Sequence, residues 1–139
     1  MNQENLSGLI GKWKSKVHKK DFTPIQMRGY NLYHTPLDDF QIDDIRFMIG
    51  QKMGLQYLLP IAFSLFEKDI LVEGSYYKGD VLSMVFTIKR EFWNNNPDLK
   101  SHFLRILLDN KETLDNVDQI RGADEGLIEE MKAFLEMIK

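Results

Sequence analysis

The chain holds three histidines, His18, His34 and His102, and none stands beside another histidine or an acid pair. Acid–base chemistry near neutral pH commonly uses a histidine oriented by a carboxylate, and that pattern is missing locally. His18 adjoins lysines on what reads as a solvated face, and His102 falls within a capped helical stretch, so surface or packing roles outweigh catalysis for both. No cysteine is present, which removes a thiolate nucleophile, a cysteine zinc site and a disulfide framework. We therefore assign no catalytic residue and read the chain as a binder that needs no cofactor.

The remaining reactive-looking groups are charged or phenolic. The pairs Asp38, Asp39 and Asp43, Asp44 carry oxygen ligands suited to magnesium or calcium. They match no calcium-loop spacing, and adjacent helix residues point apart, so helix capping and solvation explain them better than a metal, with partner contact between those readings. Arg46 lies on a largely apolar helix and is expected to pair with a carboxylate from another segment, Glu73 or Asp80, in a structural role. Tyr76 and Tyr77, in the glycine-flanked run EGSYYKGD, offer large contact area with few rotatable bonds. Inward packing with a hydrogen-bonded hydroxyl is an equal alternative.

Charge is distributed with a polarity that the net value of -3 conceals. Residues 12 to 20 carry five lysines and no acid, while residues 109 to 130 carry eight acids against Lys111 and Arg121. A basic protein partner would be steered to the acidic end, whereas a phosphate backbone would have only the lysines beside Trp13. Lysines opposite an apolar stripe are also what an ordinary surface helix carries.

The elements that must position these groups read as helical. Leu6, Leu9, Ile10, Trp13 and Val17 recur at helical spacing, although Gly8 and Gly11 weaken that first helix. Residues 21 to 41 show no sustained period and read as a loop, with a small extended element allowed at 25–34. Ile42, Ile45, Met48 and Ile49 form the stripe of a second helix whose start suits Asp43 and Asp44. Residues 55 to 68 leave almost no polar face, which predicts a central buried helix that kinks at Pro60 or begins shortly before it. Asp80 reads as the cap of a helix over 81–88, where the β-branched content leaves a strand open, Asn96-Pro97 as a helix start, and Asp124 as the cap of a terminal amphipathic helix. With 139 residues and 43% hydrophobic composition, the expectation is one mainly α domain over 1–139, a helical bundle around the proline-containing helix.

The run DIRFMIGQKMGLQYLLPIAFSLFEKD, followed by EGSYYKGDVL, then EFW and a proline-started helix, resembles the immunity proteins of bacterial contact-dependent growth inhibition systems. The resemblance covers about half the chain, residues 44 to about 108, and rests on glycines, apolar residues, Arg46 and Asp80. It implies a non-enzymatic antidote that binds the C-terminal toxin domain delivered by a neighbouring cell. Toxins of such systems are frequently nucleases, often acting on transfer RNA, so the implied partner is a basic nuclease domain complementary to an acidic inhibitor.

On that reading the shared motif forms the fold, and partner contacts fall elsewhere. The expected contact residues are Asp38, Asp39, Asp43 and Asp44 in the first acid cluster, and Glu73, Tyr76 and Tyr77 in the loop. Asp109, Glu112, Asp115 and Asp118 complete the set in the acidic connector. Direct nucleic-acid binding, a metal and a membrane are not expected, and the absence of cysteine or an apolar span points to the cytoplasm. The competing reading is a small cytoplasmic regulatory or nucleic-acid-binding module that uses the lysine-rich first helix. A toxin gene immediately upstream would discriminate the two.

Overall fold

The structure, a computed structural model, describes residues 3–139. The chain forms an all-α bundle, in which α1 is Leu6–Ile10, α2 Pro24–Tyr33, α3 Ile42–Gly50, α4 Leu55–Lys68 and α5 Asp80–Phe86. The second half comprises α6 Arg90–Asn95, α7 Pro97–Asp109, α8 Lys111–Asp115 and α9 Leu127–Met137. Short 3-10 turns lie at Lys19–Asp21, Leu37–Asp39 and Val117–Gln119. Helix α3 packs on α4 and α5, α4 on α7, and α5 on α9, so the middle of the chain is wrapped by its second half.

Helix α4 is central, but its proline is not buried. Leu58, Leu59, Ala62, Phe63 and Phe66 face the core, while Gln56, Pro60, Ser64, Glu67 and Lys68 form a solvent-facing stripe. The helix is therefore amphipathic, where the sequence predicts burial nearly all round. Pro60 costs the hydrogen bond that would run to the carbonyl of Gln56, and on the outer face that carbonyl is open to solvent. The Ser64 hydroxyl donates to the Pro60 carbonyl at 3.2 Å.

Aromatic packing fixes how the second half closes over α4. Phe103 of α7 stacks between Phe63 of α4 and Trp93 of α6, with ring centroids 5.6 and 5.4 Å away. Phe134 of α9 meets Phe103 edge-on at 5.4 Å. Pairs of this kind contribute about 0.5–1.5 kcal/mol each beyond the area they bury. The Trp93 indole N–H, fully buried, donates to the Ile88 carbonyl at 3.3 Å, so the ring leaves no orphan donor in this layer.

The amino-terminal third departs most from the sequence expectation. Residues 24 to 33 are helix, not loop or extended chain, because Thr23 accepts from the Gln26 amide at 3.2 Å while Gln26 Oε1 accepts from the Thr23 amide at 2.9 Å. Pro24 sits at the first helical position, where its missing N–H is no loss. In contrast, α1 stops at Ile10, since Gly11 adopts a φ of 121°. Trp13 and Val17 therefore lie beyond the helix, in a lysine-bearing strap that crosses α2. Trp13 holds this strap down by packing edge-on against Tyr30 at 5.7 Å and Tyr33 at 5.4 Å. The Tyr33 hydroxyl closes the arrangement by donating to the Gly11 carbonyl at 2.6 Å.

Tight chain reversals complete the frame. Between α3 and α4 the chain turns through Lys52, at φ 59°, and Gly54, at φ 64°. A Cβ at Gly54 would stand 2.6 Å from a methyl of the fully buried Leu6, so the turn needs glycine both for its dihedral and for the seat of α1. The caps of α5 and α9 differ from expectation, with Gly79 and Gly126 in the capping positions and neither Asp80 nor Asp124 supplying a side-chain cap.

Candidate functional site

Asp80 is turned back from the start of α5 into the loop that precedes it. Its carboxylate, 2% exposed, accepts from the backbone amides of Gly74 at 2.6 Å, Ser75 at 3.1 Å and Tyr76 at 3.0 Å. Three consecutive amides aimed at one carboxylate make a backbone nest and fix the curvature of the loop. The loop is closed at its base by an antiparallel bridge between Glu73 and Lys78, and tied to the later connector where the Lys78 amide donates to the Gly122 carbonyl at 2.9 Å.

The loop is then clamped to α3. The Arg46 guanidinium lies 4.6 Å from the ring centre of Tyr76, and Arg46 Nε donates to Asp43 Oδ1 at 2.5 Å. Arg46 thus pairs within its own helix, three residues away, and not with Glu73 or Asp80 as the sequence predicts; Asp80 is already occupied by the three loop amides. Arg28 of α2 adds a second cation, donating to Asp43 Oδ2 at 3.0 Å and Asp44 Oδ1 at 3.1 Å while its guanidinium covers the Phe47 ring. The Arg46 hydrogen bond, supported by those from Arg28 and Ser75 and opposed by partial burial, holds the Asp43 carboxyl at about 2, below its ordinary 3.8.

This network decides what its surface can offer. Asp43 and Asp44 are matched by two arginines inside the chain, and Asp44 also accepts from the Gln41 amide at 2.9 Å. Their formal charge therefore projects less than the sequence suggests. Tyr76, by contrast, is 70% exposed with its ring braced on Arg46, an oriented aromatic surface, whereas Tyr77 is half-buried. Glu73 is exposed beside them, and Asp38 and Asp39 are exposed on the 3-10 turn before α3.

The other acidic group stands on a separate segment. Asp109 ends α7, Glu112 and Asp115 lie on α8, and Asp118 on the following 3-10 turn, all exposed. Asp109 pairs with Arg105 at 3.4 Å and Asp115 with Lys111 at 2.5 Å, while the Glu112 and Asp118 carboxylates make no ion pair or side-chain hydrogen bond among the described residues. The structure thus unites Asp43, Asp44 and Tyr76 in one cluster and leaves Asp109, Glu112, Asp115 and Asp118 in another. Arg28 is absent from the sequence expectation because residues 21 to 41 show no sustained apolar period; the Thr23, Pro24, Gln26 spacing is the signal in the sequence that points to its helix.

Among the described residues no group of three or more histidine, aspartate or glutamate side chains is placed to hold a metal ion. Among the same residues, no helix is long and apolar enough to cross a membrane. His102 contacts Glu67 at 3.1 Å on an exposed surface, and its ring packs edge-on against Phe63 at 4.8 Å. No curated protein matches the chain. A family model for CDI immunity proteins, those of contact-dependent growth inhibition, matches residues 10–103. That match covers more than half of the chain, runs from the end of α1 into α7, and takes in both the core of α4 and the Arg46, Asp80 clamp; the chain belongs to the immunity proteins of contact-dependent growth inhibition systems.

Proposed function

We propose that this protein binds the C-terminal toxin domain of its cognate system in the cytoplasm and neutralises it by stoichiometric complex formation, as one domain and without turnover. The observation that carries the reading is the family match over residues 10–103. The toxin is a basic nuclease, with transfer RNA as its substrate class. This finer reading is supported by the surplus of acids over residues 109 to 130, which complements a surface built to grip a phosphate backbone.

The contacts divide according to how free each group is. Glu112 and Asp118, unpaired, supply long-range attraction, with Asp109 and Asp115 able to exchange their local cations for those of the toxin. Tyr76 supplies a rigid aromatic contact, flanked by Tyr77 and Glu73, because the Arg46 brace and the Asp80 nest fix its position before binding. Asp38 and Asp39 extend the rim, and Asp43 and Asp44 serve chiefly to hold the clamp. The test is co-expression with the toxin domain encoded immediately upstream. Growth rescue by this protein supports the reading, and continued growth arrest despite folded, abundant protein contradicts it.

A further inference from the structure

An apolar groove opens between the end of α7, α8 and α9, with a volume of about 270 Å³ and walls formed by Leu104, Leu107, Leu108, Leu114, Met131 and Leu135. Leu108 is 63% exposed at its lip, although Leu107 beside it is buried. The rim is polar, with Lys111 and Asp115 lining the edge and joined to each other. An apolar floor inside a charged rim is the anatomy of a protein-contact hot spot. The volume lies just below the roughly 300–1,000 Å³ of small-molecule pockets, and the floor presents no convergent polar groups, so the groove is sized for a protruding side chain.

We propose that this groove receives an apolar side chain of the toxin domain, carried on a segment whose flanking residues are lysine or arginine. This rests on the immunity reading and adds the chemistry of the contact. Charge selects the occupant: residues 104 to 118 carry Arg105 and Lys111 against Asp109, Glu112, Asp115 and Asp118, and two of the four carboxylates have no partner. A second copy of this chain would set the same acidic segment against itself, which self-complementary dimers avoid. A nucleic acid would meet a hydrocarbon floor edged by the Lys111–Asp115 pair, on a segment with more acids than bases, the reverse of what phosphates require. The groove also lies wholly beyond residue 103, where the family match ends, as suits a contact that must differ between members with different toxins.

The experiment measures binding of the purified upstream-encoded toxin domain to wild type, Leu108→Ala, Leu108→Glu and, as a control, Ile25→Glu. Ile25 is 58% exposed on α2, far along the chain from the groove, and both leucine and isoleucine sites are open enough for the variants to fold. Melting curves check that point. The expected result is wild-type affinity for Ile25→Glu, a loss of about 10-fold for Leu108→Ala and of about 30-fold or more for Leu108→Glu. Tight binding by wild type with Leu108→Glu within about 2-fold of it overturns the groove and leaves immunity standing. Absence of binding by folded wild type overturns both. A wild-type dimer that Leu108→Glu converts to monomer also overturns the proposal, since the groove would then be the seat of a second copy.

Discussion

Replacing Asp80 by asparagine keeps the side chain's shape and removes its ability to accept along both oxygens. The Ser75 and Tyr76 amides share Oδ2, and the Gly74 amide takes Oδ1 at 2.6 Å. An asparagine that keeps its oxygen toward the first two must point an NH2 group at the Gly74 N–H, losing one charge-assisted bond and opposing two donors in a site that is 2% exposed. The penalty is about 2–3 kcal/mol. For a chain of this size that corresponds to a fall in melting temperature of about 6–10 °C. Urea unfolding followed by circular dichroism reads the global loss, and amide hydrogen exchange reads where it falls, with Gly74, Ser75 and Tyr76 losing protection first. Glu73→Gln, an exposed neighbour, should change stability by less than about 0.5 kcal/mol. If Asp80→Asn melts within about 1 °C of wild type and the three amides stay protected, the nest does not hold the loop and the account of Tyr76 presentation fails.

Gly54→Ala should cost about 2–3 kcal/mol, because a side chain is placed at φ 64° and its Cβ meets Leu6 at 2.6 Å; a melting temperature unchanged from wild type would show that α1 can yield. Asp43 has a folded-state value of about 2 against 3.8, so its contribution is fully present above pH 4 and disappears as pH falls from about 4 to about 2. After allowance for solvent screening that contribution is on the order of 1 kcal/mol, and the stability gap between wild type and Asp43→Asn should narrow over this window; a constant gap would contradict the pairing. Glu112→Lys with Asp118→Lys should slow toxin association several-fold at low ionic strength and little at high salt, and equal association rates at low salt would remove α8 from the interface.

Much of the bundle was legible because its long helices bury one face. The spacings of Leu58, Leu59, Ala62, Phe63 and Phe66 in α4, and of Phe103, Ile106 and Leu107 in α7, match the residues that the core contains. Helix α2 was missed because its buried face is only Gly29, Leu32 and Tyr33, too few apolar positions for a clear period, although its capping box stood in the sequence. The apolar spacing of α1 continues through Trp13 and Val17, but the backbone dihedral at Gly11, not side-chain spacing, ends the helix. Arg46 and Asp43 were at a readable spacing of three, but the choice between Asp43 and Asp80 depended on the loop amides that had already engaged Asp80. The groove was not legible at all, since it exists only where the packing of α8 and α9 leaves one side of Leu104 and Leu108 open.

The most direct measurement is isothermal titration of the purified upstream-encoded toxin domain into this protein, with the toxin's activity followed in parallel samples. The account predicts tight one-to-one binding, with activity falling in proportion to the protein added and vanishing at equivalence. Heats no greater than dilution, or a toxin that stays fully active in the presence of excess folded protein, would contradict it.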